Sequence, residues 1–360
     1  MEANHQLYAL PNKRSNRALA LGRGKMSRGT LRIGFVGAGM ISQYHLQGWT
    51  ETKGAEVVAI CDPDLEKARR RAETFGIPSV FSDLSSMLEV ANIEAVDIAT
   101  PVGTHACLVM QAADHGVHVM CQKPITPTMQ EAYELIDYVG DRVRFMVHEN
   151  YRFRPHYRQA REWITAGQIG SPLQVRLTMR SSGLVALGAE EAWLLARQPY
   201  LGKMPRLLIF ETLIHHLDTL RSLIGEMDVL SCQLAHINHS ILGEDTAIVV
   251  MRAQSGCLVV LDGTFSAPGY PAQVTDRLEI IGGQGTIIFE NDELREMGSV
   301  ERSIHYASSS PKGENQECFT IAVQHFVEGI TTGRAFPTDR LDNLKTMRLM
   351  EACYAAAGTI

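Results

Sequence analysis

The sequence predicts an α/β chain in which a doubly wound parallel sheet is followed by an α+β unit with a large open, predominantly antiparallel sheet. Three observations predict it. An apolar run, a glycine turn, a helical stretch and a second apolar run follow one another from Leu31 to Cys61. Later apolar runs end on polar residues, in the strings ATP, CQKP and HEN. Beyond residue 150 the strand and helix alternation gives way to short strands separated by glycine turns. A length of 360 residues suits two domains, at roughly 100 to 200 residues each. The expected divisions are a disordered basic leader over 1–29, a first domain over 30–150 and a second over 151–360.

The first unit is read strand by strand. LRIGFV, GAGMIS and EVVAIC form a βαβ pattern. Gly37 permits a tight turn, and Gly39 lets backbone amides approach an anion at the positive end of the following helix, which Met40 and Ile41 enter. Ser42 fills the third small position. The second strand ends at Asp62, where a carboxylate meets adenosine ribose hydroxyls and repels a 2′-phosphate. Pro63 and Asp64 bring no arginine to receive that phosphate, so the expected cofactor of this Rossmann pattern is NAD rather than NADP. The competing reading has Asp62 cap a helix that starts near Leu65. AVDIATP carries Thr100 and Pro101 to a strand end, VHVMC carries Gln122, Lys123 and Pro124, and RFMVHEN carries His148 and Asn150. Ligands of doubly wound sheets bind at that edge.

In the second unit, a helix near Pro155 to Gly167 precedes LQVRLTMRSS, TAIVVMRAQ, CLVVLDGTF, DRLEIIG and TIIFEN, which read as adjoining antiparallel strands. Between them FETLIHHLDTLRSLIGE places Leu213, Leu217, Leu220 and Ile224 on one helix face and ends at Gly225. Glu211 and His215 stand four apart, on a shared face where the carboxylate would orient the imidazole. His216 and Asp218 read as satisfied buried polar groups. Glu211, His215 and His216 lack a third well-spaced ligand, so no metal is expected.

Composition narrows the function classes. A net charge of -6 offers no basic field, so nucleic acid is not an expected partner. Seven scattered cysteines with no C-x-x-C argue for reduced thiols and a cytoplasmic location. No apolar run is long enough for a membrane helix, and a small molecule is the expected partner.

Four segments, GFVGAGMI, ATPVGTHACLVMQAADHGVHVMCQKP, ENYRFRP and ETLIHHLDTLRSLIG, resemble in order the glucose-fructose oxidoreductase, inositol dehydrogenase and MocA family. The family's usual E-K-P stands here as Gln122-Lys123-Pro124, and its D-x-x-x-H as Glu211 to His215. The resemblance implies NAD-dependent oxidation of a sugar or polyol hydroxyl, with Lys123 and His215 as the catalytic pair. It also implies that His105 and Gln122 contact the nicotinamide ribose. A histidine suits removal of the hydroxyl proton and Lys123 suits stabilisation of the oxygen; the reverse assignment, Lys123 as base, stays open. Asn150, Arg152 and Arg206 are further candidates for contacts to substrate hydroxyls. Within the family, VMCQKP, RFMVHENYRFRPHYRQ and PRLLIFETLIHHLD are most similar to the branch that oxidises a branched pentose, D-apiose, at its anomeric carbon. An inositol-type or 3-position sugar dehydrogenase is the alternative, and a non-catalytic sugar or nucleotide sensor a more distant one. The apolar open sheet is expected to pair subunits into a homodimer or homotetramer.

Overall fold

The computed structural model describes residues 29–186, 191–298, 300–306 and 316–358. The expected leader lies outside them except for its last residue. Strands β1 (Leu31–Val36), β2 (Ala55–Cys61), β3 (Ser79–Phe81), β4 (Ala95–Ile98), β5 (His118–Gln122) and β6 (Phe145–His148) form one parallel sheet in the order β3-β2-β1-β4-β5-β6. Between them run α1 (Ser42–Thr50), α2 (Leu65–Phe75), α3 (Leu84–Val90), α4 (His105–Asp114) and α5 (Met129–Val139). The strands are apolar on both faces because helices cover both faces. Strand order reverses between β1 and β4, which opens a crevice at their carboxyl ends.

The second sheet has eight strands in the order β14-β13-β12-β11-β7-β10-β9-β8. They are β7 (Pro172–Arg180), β8 (Met227–Ala235), β9 (Thr246–Ala253), β10 (Leu258–Thr264), β11 (Thr275–Gly282), β12 (Gly285–Glu290), β13 (Glu293–Gly298) and β14 (Arg302–His305). The remaining helices are α6 (Pro155–Thr165), α7 (Trp193–Arg197), α8 (Ile214–Ile224), α9 (Gln316–Thr332) and α10 (Arg340–Ala357). Antiparallel pairing holds for β9 with β10 and for β11 with β12. The expectation of adjoining antiparallel strands fails at β7 and β10, which pair in parallel. Parallel neighbours need a long crossover, and the intervening chain supplies one through α8. Sequence reading missed β8, β13 and β14. A register shift between Val229 and Ser231 breaks the alternation of β8, and the ELREMG of β13 is too polar to read as a strand.

Leu213 just before α8 and Leu217 and Leu220 on it are fully buried, in one core with Val175, Leu177, Val249, Val259 and Leu261 of the second sheet, while Ile224 at the end of that face is half-buried. The boundary at residue 151 does not close the first core. Phe319, Val323 and Phe326 of α9 pack with Leu31, Ile33 and Phe35, and Leu344 and Met347 of α10 join Phe145 and Val147. Leu349, Met350 and Cys353 of α10 lie in the core of the second sheet, so α10 ties both sheets together.

Candidate active site

The crevice begins at the glycine turn. Gly37 has φ 102°, and a Cβ there would lie 2.5 Å from the Ala99 carbonyl oxygen, so β4 passes too close for any side chain. A Cβ on Gly39 would meet nothing within 4 Å. The N-cap residue of α1, Ile41, makes no side-chain capping bond. A positive helix end without a side-chain cap and an open cradle fit a pyrophosphate. Ser42 holds the turn: its hydroxyl donates to the Gly39 carbonyl (2.6 Å) and accepts from Arg71 Nε (2.8 Å). Met40 is exposed at the lip, where Arg197 Nε on α7 donates to its sulfur.

Asp62 stands beside this cradle. Its carboxylate accepts the Ala38 amide at 2.7 Å and the Asp64 amide at 2.8 Å, and two oxygens with about four lone-pair sites leave capacity for ribose hydroxyls. The cap of α2 is Asp64, which accepts from the Lys67 amide, so the capping reading of Asp62 gives way. Thr100 and Pro101 follow β4 at the same edge, half-buried and exposed respectively. The donor set and the open space fit NAD.

The two residues expected at the ribose both have partners within the protein. His105 is buried, with Nδ1 2.8 Å from the Pro124 carbonyl and Nε2 2.8 Å from the Thr100 carbonyl, and so joins the ends of β4 and β5 from inside. Gln122 turns its amide nitrogen toward His45 Nε2 (2.6 Å), while His45 Nδ1 faces Asp97 (2.9 Å). With the His45 proton on Nδ1, Nε2 accepts from the Gln122 amide. A glutamate at 122 would set acceptor against acceptor, which gives the departure from E-K-P a physical reason. His148 is also buried, stacked on His45 at 3.9 Å.

The expected catalytic pair does lie together, with a different carboxylate behind the histidine. Residues Leu208–Leu213 form a π-helical turn before α8, so a four-residue separation no longer places Glu211 and His215 one above the other. Glu211 instead holds Lys123, whose Nζ donates to the Glu211 backbone carbonyl at 2.6 Å and lies 3.5 Å from its carboxylate. His215 Nδ1 meets Glu149 Oε1 at 2.5 Å, which leaves Nε2 as the ring nitrogen available to a substrate. Its ring stacks on Tyr151 (4.1 Å, 7°), and the Arg154 guanidinium covers the other face of Tyr151 at 3.5 Å. Burial, then the Lys123 charge, holds His215 well below the usual histidine range. Burial pushes Glu149 up to about 7 against the pull of Lys123. Sequence reading passed over Glu149, between His148 and Asn150 on a strand end already singled out; nothing in the string HEN tells which side chain reaches α8.

The three further substrate candidates have other partners. Asn150 donates to Cys318 Sγ at 3.2 Å. Arg152 grips Asp218 with two bonds of 2.6 Å and reaches Asp342 at 2.9 Å. Arg206 pairs with Glu351 (2.8 Å) and lies over Tyr354. His216 Nε2 meets Asp276 at 2.9 Å, so His216 and Asp218 are satisfied buried groups, as expected. Among the described residues no group of three or more His, Cys, Asp or Glu is placed to hold a metal ion, and no helix is long and apolar enough to cross a membrane.

A dinucleotide cradle at one sheet edge, with Lys123 just past the end of β5 and His215 on α8 close enough to feel its charge, defines the class as a nicotinamide-dependent oxidoreductase. The chain belongs to the GFO/IDH/MocA family: residues 31–149 match its oxidoreductase domain with NAD-binding Rossmann fold, and residues 157–288 match its C-terminal domain. It is 31% identical to a D-apiose dehydrogenase of Paraburkholderia graminis, over 89% of this chain and 86% of that one. Identity is 30% to a D-apiose dehydrogenase of Rhizobium rhizogenes (92% and 96%) and 29% to an inositol 2-dehydrogenase of Saccharopolyspora erythraea (72% and 74%). Among solved structures, an oxidoreductase from Agrobacterium radiobacter in complex with NAD+, L-tartaric acid and magnesium superposes with a TM-score of 0.82 at 29% identity, over 91% of this chain and 96% of that one.

Proposed function

We propose that this oxidoreductase oxidises a sugar hydroxyl, with D-apiose, oxidised at its anomeric carbon to the lactone, as its substrate. The observation that carries the reading is the pairing of Lys123 and His215 beside the cradle, Lys123 fastened by Glu211 and His215 by Glu149. Similarity to two D-apiose dehydrogenases over about nine-tenths of the chain supports the choice of sugar.

NAD, when bound, accepts the hydride from the carbinol carbon. The residues of the chain handle the oxygen and its proton. His215 Nε2 takes the hydroxyl proton, a task suited to a ring kept uncharged by burial and by the Lys123 and Arg154 charges. Lys123 donates to the same oxygen and stabilises the negative charge that develops there. Glu211 does not touch the reacting atoms; it is a positioning residue that aims the ammonium. The Lys123 side chain is only 8% exposed, so its charge acts in a poorly screened pocket where it counts for more than in water.

The test is NAD reduction, followed by absorbance, over D-apiose, D-xylose, D-glucose and myo-inositol. Reduction is expected with D-apiose, with kcat cut about 10²-fold to 10³-fold in Lys123→Met and in His215→Asn. Reduction with myo-inositol alone would replace the sugar by a cyclitol, in line with the inositol dehydrogenase relatives. Tight NAD binding without reduction by any of the four would overturn the reading.

A further inference from the structure

We infer that Glu149 and His215 act as one base, and that the proton taken from the substrate hydroxyl comes to rest on the Glu149 carboxylate while the imidazole stays uncharged. This deepens the proposed function and rests on its assignment of His215 as the group facing substrate.

Geometry makes the transfer available. Oε1 of Glu149 lies 2.5 Å from Nδ1 of His215, and Glu149 is completely buried. Its other oxygen, Oε2, is buried with no hydrogen-bond partner among the described residues. An unpartnered buried oxygen costs more on a carboxylate than on the carbonyl of a neutral acid. The site therefore favours a protonated Glu149.

The surrounding charges act in the same direction on the ring. A proton on the imidazole faces Lys123 just past β5, Arg154 through Tyr151, and His216 beside it on α8; the Asp218 carboxylate, which acts the other way, is already gripped by Arg152. Around Glu149, Lys123, Arg152 and His216 and the Tyr151 amide, which donates to Oε1 at 3.2 Å, favour the charged form. The nearby Asp218 carboxyl and Cys318 thiol add no cation. Burial outweighs the cations and leaves Glu149 at about 7.

The step balances. At the start the dyad holds one proton, on Nδ1, and a net charge of minus one. The substrate O–H bond breaks and its proton binds Nε2; the Nδ1–H bond breaks and that proton binds Oε1. The hydride goes to NAD, the oxidant of the proposed reaction. The dyad ends with two protons and no charge.

The sign of the pH dependence follows. The active dyad is the one-proton form, so kcat falls as pH drops through about 7, where Glu149 is protonated in advance.

The test is infrared difference spectroscopy on the full chain without substrate, stepped from alkaline to acidic pH, with nitrogen NMR of the His215 ring over the same range. The expected result is a carbonyl band of a protonated carboxylic acid with a midpoint near 7, lost in Glu149→Gln, while the ring stays neutral. An imidazolium signal without that band overturns the inference. In kinetics, Glu149→Gln is expected to lose about a hundredfold or more in kcat, with part recovered in Glu149→Asp. A merely orienting carboxylate would let the glutamine amide oxygen serve Nδ1 equally well, so a loss under tenfold also overturns it. Should Glu149→Gln fail to fold, the wild-type spectra decide alone. A titrating band without sugar oxidation would sink the substrate reading and leave the dyad standing; sugar oxidation without the band would do the reverse.

Discussion

Replacing Arg152 with methionine separates a structural role from a substrate role. In the folded chain its guanidinium makes two 2.6 Å bonds to Asp218, one of 2.9 Å to Asp342 and one of 2.8 Å to the Pro337 carbonyl. Asp218 is completely buried, with Thr346 as its other close hydrogen-bond partner. Methionine matches much of the volume and removes the charge, leaving the buried carboxylate with Thr346 and the more distant Arg221 guanidinium at 3.9 Å. Breaking one half of such a pair costs about 3–5 kcal/mol, which lowers Tm by on the order of 10 °C in a chain of this size. Burial already holds Asp218 above the usual carboxylate range, so without Arg152 it takes up a proton more readily. The penalty therefore shrinks as pH falls, since protonation removes the stranded charge. Calorimetry of Arg152→Met and of Arg152→Met with Asp218→Asn checks this, the double variant recovering part of the loss. NAD reduction is then measured at a temperature where both are folded and at a pH well above 7, because loss of the Arg152 charge raises Glu149 further, with kcat and KM expected within threefold of wild type. An unchanged Tm together with a tenfold rise in KM for the sugar would show that the guanidinium serves the substrate, and the structural reasoning would fail.

Two further predictions concern the cofactor and the assembly. Asp62→Ala removes the acceptor of the Ala38 and Asp64 amides and the carboxylate expected to meet the ribose; KM for NAD is expected to rise tenfold or more, about 1.4 kcal/mol, with a smaller penalty for NADP, and equal effects on both cofactors would refute repulsion as the source of the preference. The uncovered face of the second sheet carries Ile248, Leu258 and Ile281, all exposed, and we propose that a second copy covers it. Light scattering should find a homodimer or homotetramer that Ile248→Glu with Leu258→Glu dissociates; a monomeric wild type would refute the proposal.

How much of the site was legible depended on whether function ran along the chain or across it. The glycine turn was readable because a tight turn with φ above zero before a helix demands glycine at Gly37. Lys123 and His215 were readable as motif residues. Glu211 was misread, since a π-helical turn and an α-helix look alike in a string of letters and aim the same residue differently. The protein partners of His105 and Gln122 were not legible, because they are supplied by neighbouring strand ends and by His45.

By itself the sequence determined the parallel sheet with its cradle, the acid at the end of β2, most of the second sheet, and the two motif residues, Lys123 and His215, on which the proposed function rests. These follow from period, turn chemistry and motif, which are local properties. Only the tertiary structure decided that Glu149 stands behind His215, that Glu211 serves Lys123, and that Arg152 is spent on Asp218. Those partners lie 60 or more residues apart in sequence, and a hydrogen bond is set by distance and direction in space, which local pattern does not encode.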